Sequence, residues 1–312
     1  MRLATVKLSD GTVKAGRVAG GEVILLPFTD VGELLAAEPD WPQLARRDGR
    51  RVPLAAVQPT LLVPAPSKVL CVGRNYLEHV TEGNADNQPP DFPELFAKYR
   101  DALTGPYDQI AFPPGKGNYD WAGSVAAATE VPVTAHQAEI DCVDWEAELV
   151  VVIGRTVRRA NEAEAEDAIA GFTVGNDTSV RDWQMRTSQW LQGKSWDRLS
   201  PVGPVLVTPD EVGGVRPDLR ITCSVDGDVT QDSRTSLLIF GPVDLVCYIS
   251  RFTTLRPGDL IFTGTPSGVG IVRKPERYLL PGQMLRTAIE GIGEMANLVV
   301  AEELHAEPAD RA

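Results

Sequence analysis

The sequence predicts an α+β fold that is rich in β-strand, and three observations carry that prediction. Short runs of alternating apolar and polar residues, separated by glycine-containing turns, fill the first part of the chain. Later apolar runs have strand length and end abruptly. Clear helical signals are few. Neither an internal repeat nor a low-complexity tract is found.

Runs 3–8, 12–18 and 22–26 are separated by Asp10-Gly11 and Gly20-Gly21 and read as a β-meander or hairpins. Stretches 32–37 and 41–47 read as short helical pieces, which completes a small N-terminal β-rich domain over residues 1–63. Pro64 and Pro66 favour an extended link. The run 68–72 is then a short buried strand leading into Gly73-Arg74-Asn75-Tyr76. The run 149–153 is continuously apolar, preceded by Trp145-Glu146-Ala147-Glu148 and stopped by Gly154. Residues 161–170 give the clearest helix, with Asn161 as N-cap and acids in the first turn. A strand at 172–175 delivers Asn176-Asp177. A hairpin over 221–225 and 228–231 turns at Asp226-Gly227, a helix covers 243–252, and a strand covers 259–263. Pro281-Gly282 opens a last β unit through Val300. Residues 64–303 form a second, larger domain in this reading, and the acidic end, 304–312, is a flexible tail.

The chain has 312 residues, with 43 Asp and Glu against 30 Lys and Arg, a formal net charge of −13. Such an acid excess without a basic run speaks against nucleic acid as a partner. No apolar stretch reaches membrane-span length, and the first residues have no signal-like apolar core, so a cytoplasmic location is expected. Cys71, Cys142, Cys223 and Cys247 are widely spaced and form no CxxC, which favours reduced thiols over disulfides or zinc. With only three histidines, a multi-histidine metal site is also disfavoured.

The segment 144–153 holds the main physical conflict. On one strand, Glu146 and Glu148 are i and i+2 and share a face. Two adjacent carboxylates beside a buried run repel each other and lose hydration. A hard divalent cation removes both penalties, and a wet strand end would also relieve them. Asp177, at the end of another apolar strand, is a third ligand candidate or a turn-capping acid. His79 and Glu82 are i and i+3 on a helical turn, so the pair can form an oriented general base or a structural contact. Lys194, between Gly193 and Ser195 and near Trp190 and Trp196, is either functional or a surface lysine. Gly193-Lys194-Ser195 fails as a phosphate loop because Ser188 stands where a glycine is needed, and Gly264–Gly268 has Pro266 where a serine nucleophile would sit.

Taken in order, VLCVGRNYLEH (69–79), DWEAELVVVIG (144–154), GFTVGNDTSVRDWQ (171–184), GKSWDRLSPVGP (193–204), LRPGDLIFTGTPSGVG (255–270) and KPERYL (274–279) resemble the fumarylacetoacetate hydrolase family over roughly residues 65–300. The resemblance implies a mixed β-sandwich roll with a small N-terminal domain, usually a homodimer. It places magnesium, with manganese or calcium possible, on Glu146, Glu148 and Asp177. It makes His79 and Glu82 the water-activating pair. Arg181, Gln184, Lys194 and Thr265 become substrate-anchoring or oxyanion-stabilising residues. Longer members add a fourth carboxylate where this chain has Val72, so it looks like the three-carboxylate type. The implied substrate is a small 2,4-dioxo acid of acylpyruvate type, cleaved at a carbon–carbon bond to pyruvate and a carboxylic acid. Oxaloacetate decarboxylation, hydroxyheptadienedioate isomerisation and hydrolysis of diketo sugar acids share the scaffold, and the ends KPERYL and 289–291 are similar to the last group. A non-catalytic metal-binding scaffold is the reading of another class. Two departures stand out: an insertion over about 114–143, and Phe96-Ala97-Lys98-Tyr99-Arg100 in place of the family's FxKPP form.

Overall fold

The computed structural model describes residues 1–113 and 142–302. Most of the insertion and all of the C-terminal tail therefore lie outside the described residues.

Among the described residues, fifteen strands of three or more residues carry the architecture. In chain order they are β1 (Arg2–Lys7), β2 (Val13–Ala19), β3 (Glu22–Leu25), β4 (Arg51–Pro53), β5 (Val69–Gly73), β6 (Glu94–Lys98), β7 (Ile110–Phe112) and β8 (Ala147–Ile153). They continue as β9 (Ile169–Asn176), β10 (Ser200–Val207), β11 (Arg220–Val225), β12 (Asp228–Arg234), β13 (Leu260–Phe262), β14 (Met284–Ile289) and β15 (Gly293–Ala301). The helices are short: α1 (Val31–Leu35), α2 (Trp41–Leu44), α3 (Leu77–Glu82), α4 (Glu162–Ala168), α5 (Arg181–Gln184), α6 (Leu191–Lys194) and α7 (Pro242–Ser250). The α+β, β-rich reading holds.

The main sheet runs β4-β3-β2-β1-β10-β9-β8-β13-β5-β6, and a second sheet runs β12-β11-β14-β15-β7. Pairing is antiparallel except at β13–β5 and β15–β7, so both sheets are mixed. On β8, Leu149, Val151 and Ile153 pack in the cluster shared with Ile221, Cys223, Leu285, Met295 and Val299 of the second sheet. Val150 and Val152 pack on the other face with Leu34, Leu62, Val63, Leu260 and Phe262. Burial on both faces is why this strand reads as an unbroken apolar run rather than an alternation. Glu148 is in phase with Val150 and Val152, on the face turned from the second sheet.

Residues 1–63 do not stand apart from this sheet. β1 pairs with β10 through Arg2↔Val207 and Leu3↔Leu206, and the buried Thr5 hydroxyl donates to the Leu62 carbonyl at 2.6 Å while accepting from the Val31 N–H. The boundary expected at 63/64 is thus no break in the hydrogen-bonded sheet.

Local differences from expectation have local causes. The helix begun by Asn161 has its capping box with Glu164, but it ends at Ala168. Ile169 already pairs with Ile153, so sheet formation takes the last two residues. Glu146 precedes β8, because its N–H donates to the Asn176 side chain instead of to a neighbouring strand. The Asp226-Gly227 turn forms as expected, both residues having positive φ. Among the described residues no cysteine is in a disulfide.

Candidate metal centre and active site

The C-terminal end of β9, the start of β8, the loop after β13 and the short helices α3, α5 and α6 supply the expected site residues. Glu146, Glu148 and Asp177 come together, with candidate ligand oxygens all within 4.8 Å of one another. Backbone register explains the meeting. Ala147 pairs with Asn176 and Glu148 with Gly175, and just beyond the ladder the Asp177 N–H donates to the Glu146 carbonyl at 2.8 Å. The three side chains are 5, 1 and 0 % exposed, so a wet strand end is not what relieves their repulsion.

Buried cations offset part of it. Lys194 Nζ lies 2.7 Å from Glu146 Oε2 and 2.9 Å from Asp177 Oδ2. Lys98 Nζ is 2.5 Å from Asp177 Oδ1 and also donates to the Ser200 hydroxyl and the Lys194 carbonyl. Arg181 pairs with Glu146 at 2.7 Å and with Asp144 at 2.8 Å, and its Nη1 donates to Gln184 Oε1 at 2.9 Å. Burial alone would raise the Glu146 carboxyl, but the Lys194 and Arg181 charges, helped by His79, hold it down at about 2. Burial lowers Lys194 less than Asp177 and Glu146 raise it.

Glu148 has no such cation. Burial pushes its carboxyl well up, and the charges of Asp177 and Glu146 push it further, against the pull of Lys194 and of the Gly264 N–H that donates to Oε2 at 2.7 Å. Four carboxylates (Asp144, Glu146, Glu148, Asp177) face three cations, leaving one negative charge in excess. A buried, all-oxygen donor set with an uncompensated carboxylate fits a hard divalent cation. The added cation would leave the cluster net positive, a setting for an anionic ligand. Val72, at the position of the fourth carboxylate of longer relatives, is a buried core residue.

Two glycines permit this geometry. Gly264 has φ +98°, and a Cβ there would meet Asn75 Cβ at 2.7 Å and the Val72 carbonyl at 3.0 Å, so only glycine brings its N–H to Glu148. At Gly193 a Cβ would fall 2.4–2.6 Å from Gln184 atoms, so α6 lies directly on α5 and sets Lys194 beside Gln184.

On α3, His79 Nδ1 is 2.5 Å from Glu82 Oε1. A carboxylate partner accepts, so Nδ1 carries a proton, and in the neutral form of the ring the lone pair then lies on Nε2. The other Glu82 oxygen accepts the Gly268 N–H at 2.7 Å, which ties α3 to the loop after β13. Thr265 lies in that loop, 3 % exposed. All expected site residues thus fall in one neighbourhood. Arg181 differs in detail from a free anchoring group, since Asp144, Glu146 and Gln184 already engage its guanidinium. A cavity of about 450 Å³, lined by Tyr99, Trp183, Leu191, Ser195 and Trp196, lies beside α6 and is not lined by the triad.

Three residues that sequence reasoning did not single out complete the cluster: Lys98, Asp144 and Gln231. Asp144 accepts from Arg181 and from the Gly270 and Ile271 N–H groups. The signal for Lys98 was a charge directly after the apolar run Leu95-Phe96-Ala97; for Gln231 none was visible.

A two-sheet mixed roll with a buried carboxylate triad and a histidine–glutamate pair is a recognisable class. The chain belongs to the fumarylacetoacetate hydrolase family: the family description "Fumarylacetoacetate (FAA) hydrolase C-terminal" matches residues 68–300. It is 40% identical over 246 residues to the mitochondrial oxaloacetate tautomerase of Rattus norvegicus, covering 78% of this chain and 70% of that one. Among solved structures it is similar to fumarylacetoacetate hydrolase from Exiguobacterium antarcticum (TM-score 0.78, 28% identity, 97% of this chain and 100% of the other). It is also similar to 2-hydroxyhepta-2,4-diene-1,7-dioate isomerase from Mycobacterium marinum (TM-score 0.71, 32% identity, 97% and 100%).

Proposed function

We propose that this chain is a divalent-metal-dependent enzyme that moves protons on small 2-oxo acids, with keto–enol interconversion of oxaloacetate as its leading reaction. The observation that carries the reading is the His79–Glu82 pair, in which Glu82 holds Nδ1 and the neutral ring presents Nε2 to take a proton. The name of the 40%-identical relative supports oxaloacetate as the substrate.

Glu146, Glu148 and Asp177 would hold the cation, magnesium or else manganese or calcium, which supplies Lewis acidity that makes a hydrogen next to the 2-oxo group easier to remove. His79 accepts that hydrogen at Nε2 and returns it, and Glu82 keeps the ring in the required tautomer. Lys194 offsets negative charge that develops on oxygen. Arg181 occupies the Gln184 carbonyl, so the amide NH₂ of Gln184 is the end left to donate to such an oxygen. The Thr265 hydroxyl anchors a substrate carboxylate.

A second reading uses the same residues. His79 would instead deprotonate water, which attacks the 4-carbonyl of an acylpyruvate and releases pyruvate by carbon–carbon hydrolysis. Decarboxylation of oxaloacetate and isomerisation of hydroxyheptadienedioate are further outcomes of enolate chemistry, and the Mycobacterium marinum structure bears the latter name. We propose a homodimer on the resemblance, and a reducing compartment such as the cytoplasm on the wide spacing of the four cysteines.

Chelator-stripped protein, with and without magnesium, tests these readings on oxaloacetate, acylpyruvates and hydroxyheptadienedioate. Loss of enol absorbance without pyruvate release supports tautomerisation, and stoichiometric pyruvate with a carboxylic acid supports hydrolysis. No metal-dependent change in any substrate would leave the non-catalytic scaffold as the better account.

A further inference from the structure

Gln231 lies on β12 in the second sheet and is 2 % exposed, yet its amide reaches across to the main sheet. Oε1 accepts the N–H of Ala147, the residue between the two glutamates, at 2.9 Å. Nε2 donates to Thr265 Oγ1 and to the Pro266 carbonyl, each at 2.8 Å. Both ends of the amide are therefore committed. The Ala147 N–H is only a donor and the Pro266 carbonyl only an acceptor, so the amide has one allowed orientation.

That orientation decides what Thr265 does. Its oxygen receives a hydrogen from Gln231, so its own proton must go elsewhere. Among the described residues that proton has no acceptor. Thr265 directly follows Gly264, whose N–H lies on Glu148 Oε2. One glutamine thus spans the strand of metal carboxylates and the hydroxyl beside them, across the two sheets.

We infer that Gln231 is a positioning residue that fixes the Thr265 hydroxyl as a donor toward a carboxylate or carbonyl oxygen of an anionic ligand at Glu146, Glu148 and Asp177. The ligand class rests on the functional reading above.

The test is calorimetric titration of the full chain with oxalate in the presence of magnesium, alongside turnover of oxaloacetate. Gln231→Glu keeps the shape and the acceptor for Ala147, but it puts an acceptor where Thr265 now meets a donor. The Thr265 proton is then drawn to the new carboxylate, away from the ligand. Gln231→Leu removes both bonds. Each variant is expected to weaken oxalate about 10-fold, with the loss falling on KM more than on kcat. In a Thr265→Val background, Gln231→Leu should add less than about 2-fold, because the group it positions is gone. A merely structural role predicts equal losses in both backgrounds, and that result overturns the inference. If Gln231→Leu does not fold, Gln231→Glu decides alone: oxalate affinity within about 2-fold of wild type overturns the inference. Wild-type protein that binds no oxalate with magnesium overturns the functional reading, and the inference with it.

Discussion

Lys194 bridges Glu146 and Asp177, its ammonium lying 2.7 Å from one carboxylate and 2.9 Å from the other. The same two residues are joined through the backbone, Asp177 N–H to Glu146 carbonyl. A cation bound to the triad and the ammonium therefore compete for the same oxygens. Lys194→Met should bind magnesium at least as tightly as wild type by calorimetry, while turnover of 2-oxo acids falls about 100-fold. Weaker magnesium binding in this variant would contradict the bridging role.

The two glutamates predict opposite stability effects in metal-free protein. Glu146→Gln leaves the buried Lys194 and Arg181 short of a counter-charge and should cost about 3 kcal/mol. Glu148→Gln removes a carboxylate that burial and its neighbours already disfavour, so it should be neutral or stabilising. Urea titration with chelator present reads both signs, and both variants should lose magnesium binding.

The raised Glu148 carboxyl also sets a pH dependence. Its ordinary value is 4.5, and burial with Asp177 and Glu146 pushes it well above that. The stability that such a group contributes is complete below the ordinary value and is lost as pH rises through the raised one. A divalent cation displaces the proton and compensates the charge. The rise in Tm on adding magnesium should accordingly grow as the pH is raised from the ordinary carboxyl value into the neutral range. A shift that shrinks over that range in scanning calorimetry would contradict the assignment.

The His79–Glu82 pair separates binding from proton transfer. His79→Ala should lower turnover about 100-fold, and Glu82→Gln about 10-fold, since glutamine can still accept from Gly268 but no longer fixes one tautomer. Neither should change magnesium affinity by more than about 2-fold, because neither supplies a ligand oxygen.

Much of this site was legible in the sequence because its signals are local. Glu146 and Glu148 are two residues apart, His79 and Glu82 three, and Asp177 follows its own apolar strand. What stayed hidden depends on partners far along the chain. Lys98 has meaning only against Asp177 and Ser200, and Gln231 only against Ala147 and Thr265. The strand pattern of residues 1–63 was readable too, but its continuation of the main sheet rests on Leu3 meeting Leu206, a register that no local spacing encodes. The apolar run at Leu149–Ile153 was clear, whereas its burial between two layers became visible only when the second sheet was in place.

The central claim is that a divalent cation on Glu146, Glu148 and Asp177, together with His79 as base, makes this chain an enolising enzyme. Exchange of the C3 hydrogens of oxaloacetate into D₂O, followed by NMR, tests it most directly. Wild-type protein with magnesium should accelerate exchange far above the solvent rate, and chelator or His79→Ala should return it toward that rate. Exchange by wild-type protein no faster than in buffer, or equally fast after the metal is removed, would contradict it.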